Sequence, residues 1–233
     1  MTDEPAPPRG TPIEQEIATI KAHVRAMGEW SIEMVHKGVS VLDSGDPAGL
    51  DELIGMDDRL DAFDVDIEHE AIRFLVTRQP AARDARTLGA VLKVVTYLDR
   101  AGRLGLDIAR YVRDFPTQEH FAPWSLLRMM AEQSTAMMRV ALDAFDSGDL
   151  EKAKAVYAAD DAVDELNRQV LKECIVGLSG NPPEPPALVI YVLASRHLER
   201  VADNACKIAE KTIYMVTGHR RREFLNPQNK VSL

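Results

Sequence analysis

In the stretch HLERVADNACKIAE, residues 197–210, Glu199 and Asp203 stand four residues apart. On a helix that spacing stacks both carboxylates on one face, where like charges repel by roughly 0.2–0.5 kcal/mol. The arrangement recurs in the DxxxD pairs Asp57 with Asp61 and Asp160 with Asp164, while Asp99 opens a further pair whose second place is taken by Arg103. A carboxylate cluster of this kind can lie solvated, pair with arginines, raise its own pKa values by repulsion, or bind a cation. Its oxygens suit Mg, Ca, Mn or iron. Arg196 and Arg200 each lie three residues before an acid, Glu199 and Asp203, and so are near enough on a helix to pair with it. From the residues alone both a salt-bridged face and a cation site stay open.

Six segments of helical periodicity carry these residues. Turn-forming stretches separate them: DSGDP at 43–47, TRQPAARD at 77–84, DFPTQEHFAP at 114–123, DSGD at 146–149 and LSGNPPEPP at 178–186. The two DSGD stretches are 103 residues apart, and over residues 43–75 that one offset gives ten identities in 33 positions, including Asp57, Asp58 and Asp61 on Asp160, Asp161 and Asp164. YLDRAGRLGLDIA aligns with HLERVADNACKIA at an offset of 100, Asp99 falling on Glu199. The chain is therefore an internal duplication. Short connections between long helices favour antiparallel neighbours, so the expected fold is all-α, two tandem three-helix bundles. The expected division is a disordered lead at 1–11, bundles at 12–115 and 116–218, and a C-terminal tail at 219–233.

In such a bundle the second and third helices would face their acid stripes across ~8–10 Å. Asp160, Asp164, Glu199 and Asp203 would then converge. In the first copy Arg103 changes the site by two charge units and could itself neutralise Asp57, Asp61 or Asp99, which disfavours metal there. Asp107, aligned with Lys207, offers partial compensation one turn further on.

Composition narrows the function. A formal charge of -9 and a pI near 5.2 argue against binding nucleic acid by phosphate attraction. The acidic, proline-rich start MTDEPAPPRG does not resemble a signal peptide, so a cytoplasmic location is expected. The longest apolar run, ALVIYVLA, is too short to span a membrane. Cys174 and Cys206 lack metal or disulfide spacing and read as reduced, buried thiols.

Catalytic signatures are missing. A ferritin-like oxidase needs two Glu-x-x-His motifs. Only Glu33 with His36 fits, and the duplicate positions hold Ala136 and Arg139. No Walker lysine loop, GxSxG elbow or HExxH is present, so no enzyme is expected. Met27, Met34, Met129, Met130, Met137 and Met138 read as core filler, or as a groove for a partner helix or dimer mate. His219 and Arg220–Arg222, just past the sixth helix, read as a solvated helix end or as a contact with anionic lipid or a membrane-associated partner.

Taken in order, these features resemble the PhoU family of bacterial regulators of phosphate uptake, over residues from about 12 to 218. RQPAARDAR (Arg78 to Arg86) is similar to the family's QPxAxDLR segment, with Ala85 for the usual Leu, and LERVAD (Leu198 to Asp203) to its LERIGD core. The resemblance implies paired three-helix bundles, often homodimeric, whose E(D)xxxD motifs hold iron or other divalent or trivalent metal ions. Carried onto this sequence, those motifs are Asp160, Asp164, Glu199 and Asp203 in the second bundle, and Asp57, Asp61 and Asp99 in the first, where Arg103 breaks the pattern. It further implies contacts with the phosphate transporter's ATPase subunit and a sensor histidine kinase, and peripheral association with the membrane through partners. A metal-free adaptor, its acid stripes docking basic partner surfaces, is the competing expectation.

Overall fold

Helix signals in the sequence become six α-helices and no strand among the described residues of a computed structural model, which are 11–114, 123–180 and 185–219. Residues 1–10 of the expected lead, and Arg220–Arg222 with the rest of the tail, lie outside the described residues. The helices are α1 (Pro12–Ser44), α2 (Pro47–Arg78), α3 (Ala82–Asp114), α4 (Pro123–Ser147), α5 (Leu150–Ser179) and α6 (Pro185–Thr217).

Local chemistry sets their ends. Thr11 and Glu14 form a reciprocal capping box before α1, with Pro12 in the first turn. Each DSGD stretch folds alike: Gly45 (φ 65°) and Gly148 (φ 70°) adopt the left-handed conformation that only glycine takes without strain. Asp46 then caps α2 through the Ala48 N–H at 3.0 Å, and Asp149 caps α5 through the Glu151 N–H at 2.8 Å.

Helices α1, α2 and α3 pack on one another, as do α4, α5 and α6, while α1 with α4 and α3 with α6 join the two bundles. The joining helices run antiparallel, since Lys21, Arg25 and Glu29 of α1 meet Asp146, Asp143 and Arg139 of α4 in turn. Likewise Arg86 and Tyr111 of α3 lie by Gly218, at the end of α6, and His197 within it, in reverse order. Helices α2 and α5 are left on the outside. The buried apolar residues form one cluster through both bundles, and the repeat is visible in it, with Leu88, Val91 and Leu98 of α3 matched by Leu188, Tyr191 and Leu198 of α6. Helices α1 and α3 approach closely through Gly38 and Gly105, where a Cβ on Gly105 would meet Val35 Cα at 2.7 Å. The second copy has Ala141 and Ala205 at the equivalent places.

Candidate functional site

In both copies the acid stripes of the second and third helices face each other, and the two faces are compensated differently. In the first bundle Arg103 of α3 reaches between the helices. Its Nε donates to Asp99 Oδ1 at 3.0 Å, its Nη1 to Asp57 Oδ2 at 3.3 Å, and its Nη2 to Asp61. One guanidinium thus serves all three expected acids. Burial works against the charge of Arg103, but Asp99, Asp57 and Asp61 hold its pKa above the ordinary value. Asp57 is pushed up by burial, pulled back by Arg103, and pushed up again by Asp61 and Asp99. Its Oδ1 is buried without a hydrogen-bond partner among the described residues. Asp107 lies with Arg110, at 2.8 Å, so it does not compensate this face.

Among the described residues, no cation stands at the centre of the second bundle's acid face. Asp160 of α5 is raised by burial and by Asp164, with a hydrogen bond from the Cys206 thiol lowering it and Asp203 and Asp161 raising it further. Glu199 of α6 is raised by burial, offset by Arg196, and raised again by Asp203 and Asp164. Asp164 and Asp203 thus each act on both Asp160 and Glu199 across the α5–α6 seam. Arg196 touches only the edge of this set: its Nη1 lies 2.9 Å from Glu199 Oε2, and its side chain is 60% exposed. Asp203 is exposed.

Convergence stops at electrostatic reach. Among the described residues, no group of three or more His, Cys, Asp and Glu side chains stands close enough together to hold a metal ion. In chemistry the second set fits a hard cation, since its donors are four carboxylates and its one arginine lies at the rim, but the side chains must turn inward to share an ion. The first set does not fit, because Arg103 occupies the space between its oxygens.

Three features escaped the sequence reading. Asp64, seven residues after Asp57, extends the first stripe and is raised by burial and by Asp99. Asn167 stands at the matching place in the second copy and accepts from Ser195 Oγ at 2.9 Å. The DxxxDxxD spacing carried that signal for Asp64. Cys206, expected to be buried, is half-buried beside Asp160, and Tyr157 OH donates to its carbonyl at 3.1 Å. His197, whose two-residue step from Glu199 already turns it from the acid face, makes an unforeseen contact with the other bundle, its Nε2 lying 2.9 Å from Tyr111 OH.

Known proteins resemble this chain along most of its length. The PhoU domain model matches it twice, at residues 24–112 and 127–212. A phosphate-specific transport system accessory protein PhoU homolog from Pseudomonas aeruginosa is 30% identical over 87% of this chain and 84% of its own. One from Clostridium acetobutylicum is 27% identical over 88% and 94%. The crystal structure of PhoU from Pseudomonas aeruginosa superposes with a TM-score of 0.81 at 29% identity, covering 88% of this chain and 99% of that one. That of the phosphate transport system regulatory protein PhoU from Streptococcus pneumoniae gives 0.82 at 24% identity over 89% and 98%, a likeness of fold alone.

Proposed function

Because the chain belongs to the PhoU domain family, matched in both of its halves, we propose that it is a non-catalytic accessory regulator of phosphate transport, acting in the cytoplasm by protein contact. The observation that carries this reading is the double family match, together with relatives named as phosphate-specific transport accessory proteins that align over most of both chains. Its partners on this reading are the phosphate transporter's ATPase subunit and a sensor histidine kinase, and it approaches the membrane through them. Among the described residues no helix is long and apolar enough to cross a membrane. A homodimer belongs to the same proposal.

The second bundle is the regulated element. Asp160, Asp164, Glu199 and Asp203 would hold iron or another divalent or trivalent ion, and such an ion would neutralise carboxylates whose mutual repulsion is costly in a partly desolvated seam. The first bundle needs none, because Arg103 already supplies a cation. Co-purification with the transporter ATPase at high and low phosphate tests the partner, and repeated failure at both would remove it. Constitutive expression of phosphate-scavenging genes in a deletion strain tests the regulatory role, and unchanged expression would contradict it.

One observation favours a second reading. With no preformed ligand group among the described residues, the second acid face would suit lysines and arginines of a partner as well as a metal. On that metal-free adaptor reading, Asp203→Ala weakens partner binding and leaves metal content unchanged.

A further inference from the structure

We propose that the groove between α4 and α5 is the docking site of this chain's own C-terminal segment, with Phe224 seated in it. The groove, about 250 Å³, is lined by Gln133, Ala136 and Val140 of α4 and Ala155, Ala159 and Ala162 of α5. The duplication supplies the comparison. At the offset of 103 these positions correspond to Trp30, Glu33, Lys37, Glu52, Met56 and Arg59. In the first bundle those side chains close the equivalent groove. Trp30 Nε1 donates to the Met56 carbonyl at 3.0 Å, Arg59 lies over the Trp30 ring at 5.1 Å, and Lys37 pairs with Glu52.

In the second bundle every member of that plug is replaced by a smaller side chain, and an open apolar groove remains. A cavity of about 150 Å³ already admits benzene, so the space here suits a phenyl ring. The groove also holds an unanswered polar atom. Gln133 Oε1, at the position of Trp30, is buried and has no hydrogen-bond partner among the described residues. It asks for an N–H donor, as a buried acceptor does.

The chain itself brings a ring and a donor to this place. Helix α6 ends beside the α4–α5 turn, since a Cβ on Gly148 would meet the Val216 side chain at 3.4 Å. Val140 and Ala155 lie seven and five residues from the helix ends at that turn, hence about 8–11 Å along the groove. Phe224 follows Gly218 by six residues, a reach of up to about 20 Å. Leu225 and Asn226 come next, so a backbone N–H or the Asn226 amide can meet Gln133 Oε1. Arg220, Arg221 and Arg222 precede Phe224 in the sequence, and Asp146, Asp149 and Glu151 at the α4–α5 turn carry the opposite charge. Reach, ring and charge all agree on the same occupant.

Cross-linking in the full-length chain tests this. With Cys206→Ser, leaving only the buried Cys174, Leu225→Cys, which keeps the Phe224 ring, is combined with Ala159→Cys in the groove or with Asp161→Cys on the opposite side of α5, and mild oxidation at low protein concentration is followed by peptide mapping. The expected result is an intramolecular bridge to position 159 at least tenfold faster than to 161, suppressed by Ala162→Arg, which restores the first bundle's residue. Equal rates at both positions would overturn the proposal. So would a bridge formed only between two chains, which would make a second copy the occupant.

Discussion

Arg103 in α3 and Asp203 in α6 occupy the same place in the two copies, and the first donates to Asp57, Asp61 and Asp99 while the second adds to the repulsion on Asp160 and Glu199. One substitution therefore separates a neutralised acid face from one compensated only at its edge. The two bundles, alike in backbone, should respond in opposite ways to salt and cations.

Removing the guanidinium should make the first face behave like the second. Arg103→Ala is expected to lower stability by about 1 kcal/mol at low salt, with the loss shrinking as salt rises, because a 42% exposed arginine is partly screened by solvent. Urea unfolding at two ionic strengths measures it. An effect independent of salt would mean that packing of the arginine stem dominates.

The raised carboxyls of the second bundle fix the direction of a pH effect. Asp160 and Glu199 bind protons more readily folded than unfolded. Without metal their contribution is fully present below the ordinary carboxylate values and is lost as pH rises through the folded ones. In chelator, melting temperature should rise as pH falls through the carboxylate range, and Asp160→Asn with Glu199→Gln should reduce that rise to the part that Asp57 and Asp64, also raised, contribute. A slope left undiminished by the double substitution would place its source elsewhere.

His197 acts in the other direction and in a higher pH window. Burial lowers its pKa from 6.5, Asp107 offsets this and Arg200 adds to it. Its Nδ1 is buried without a partner among the described residues, while Nε2 meets Tyr111 across the bundle interface. A depressed value means that the unfolded chain takes the proton first. The stability His197 contributes is present above 6.5 and lost as pH falls through the folded value. Unfolding scans of wild type and His197→Gln between pH 7 and 5 should diverge, with the wild type alone losing stability; parallel curves would remove His197 as the cause.

Close packing of α1 on α3 gives a test that involves no charge. Gly105→Ala puts a Cβ against Met34 and Val35 backbone atoms. Backbone cannot step aside as a side chain can, so a loss of about 1–3 kcal/mol is expected. Chemical denaturation measures this, and a neutral result would mean that the helices separate at little cost.

Much of this was legible in the sequence. Helix number, duplication and the glycine turns follow from periodicity and from two DSGD stretches, because caps and left-handed glycines are local chemistry that one copy repeats in the other. Arg103 was readable as a neutraliser because substituting a cation within an acid motif has one direct electrostatic consequence. What the spacing could not give was which rotamers the acids choose, since i,i+4 geometry sets a face and not a direction of approach. Asp203 shares its stripe with Glu199 and still faces solvent. The half-buried Cys206 and the Tyr111–His197 contact depend on how helices from different parts of the chain rotate against each other, which no local pattern encodes.

The most direct measurement is the metal content of protein purified without chelator, by elemental analysis, for wild type, Asp203→Ala and Asp99→Ala. A regulated second bundle predicts stoichiometric metal in the wild type, depletion in Asp203→Ala and no change in Asp99→Ala. Wild-type protein with only trace metal, or an Asp203→Ala variant that keeps its full complement, would contradict it.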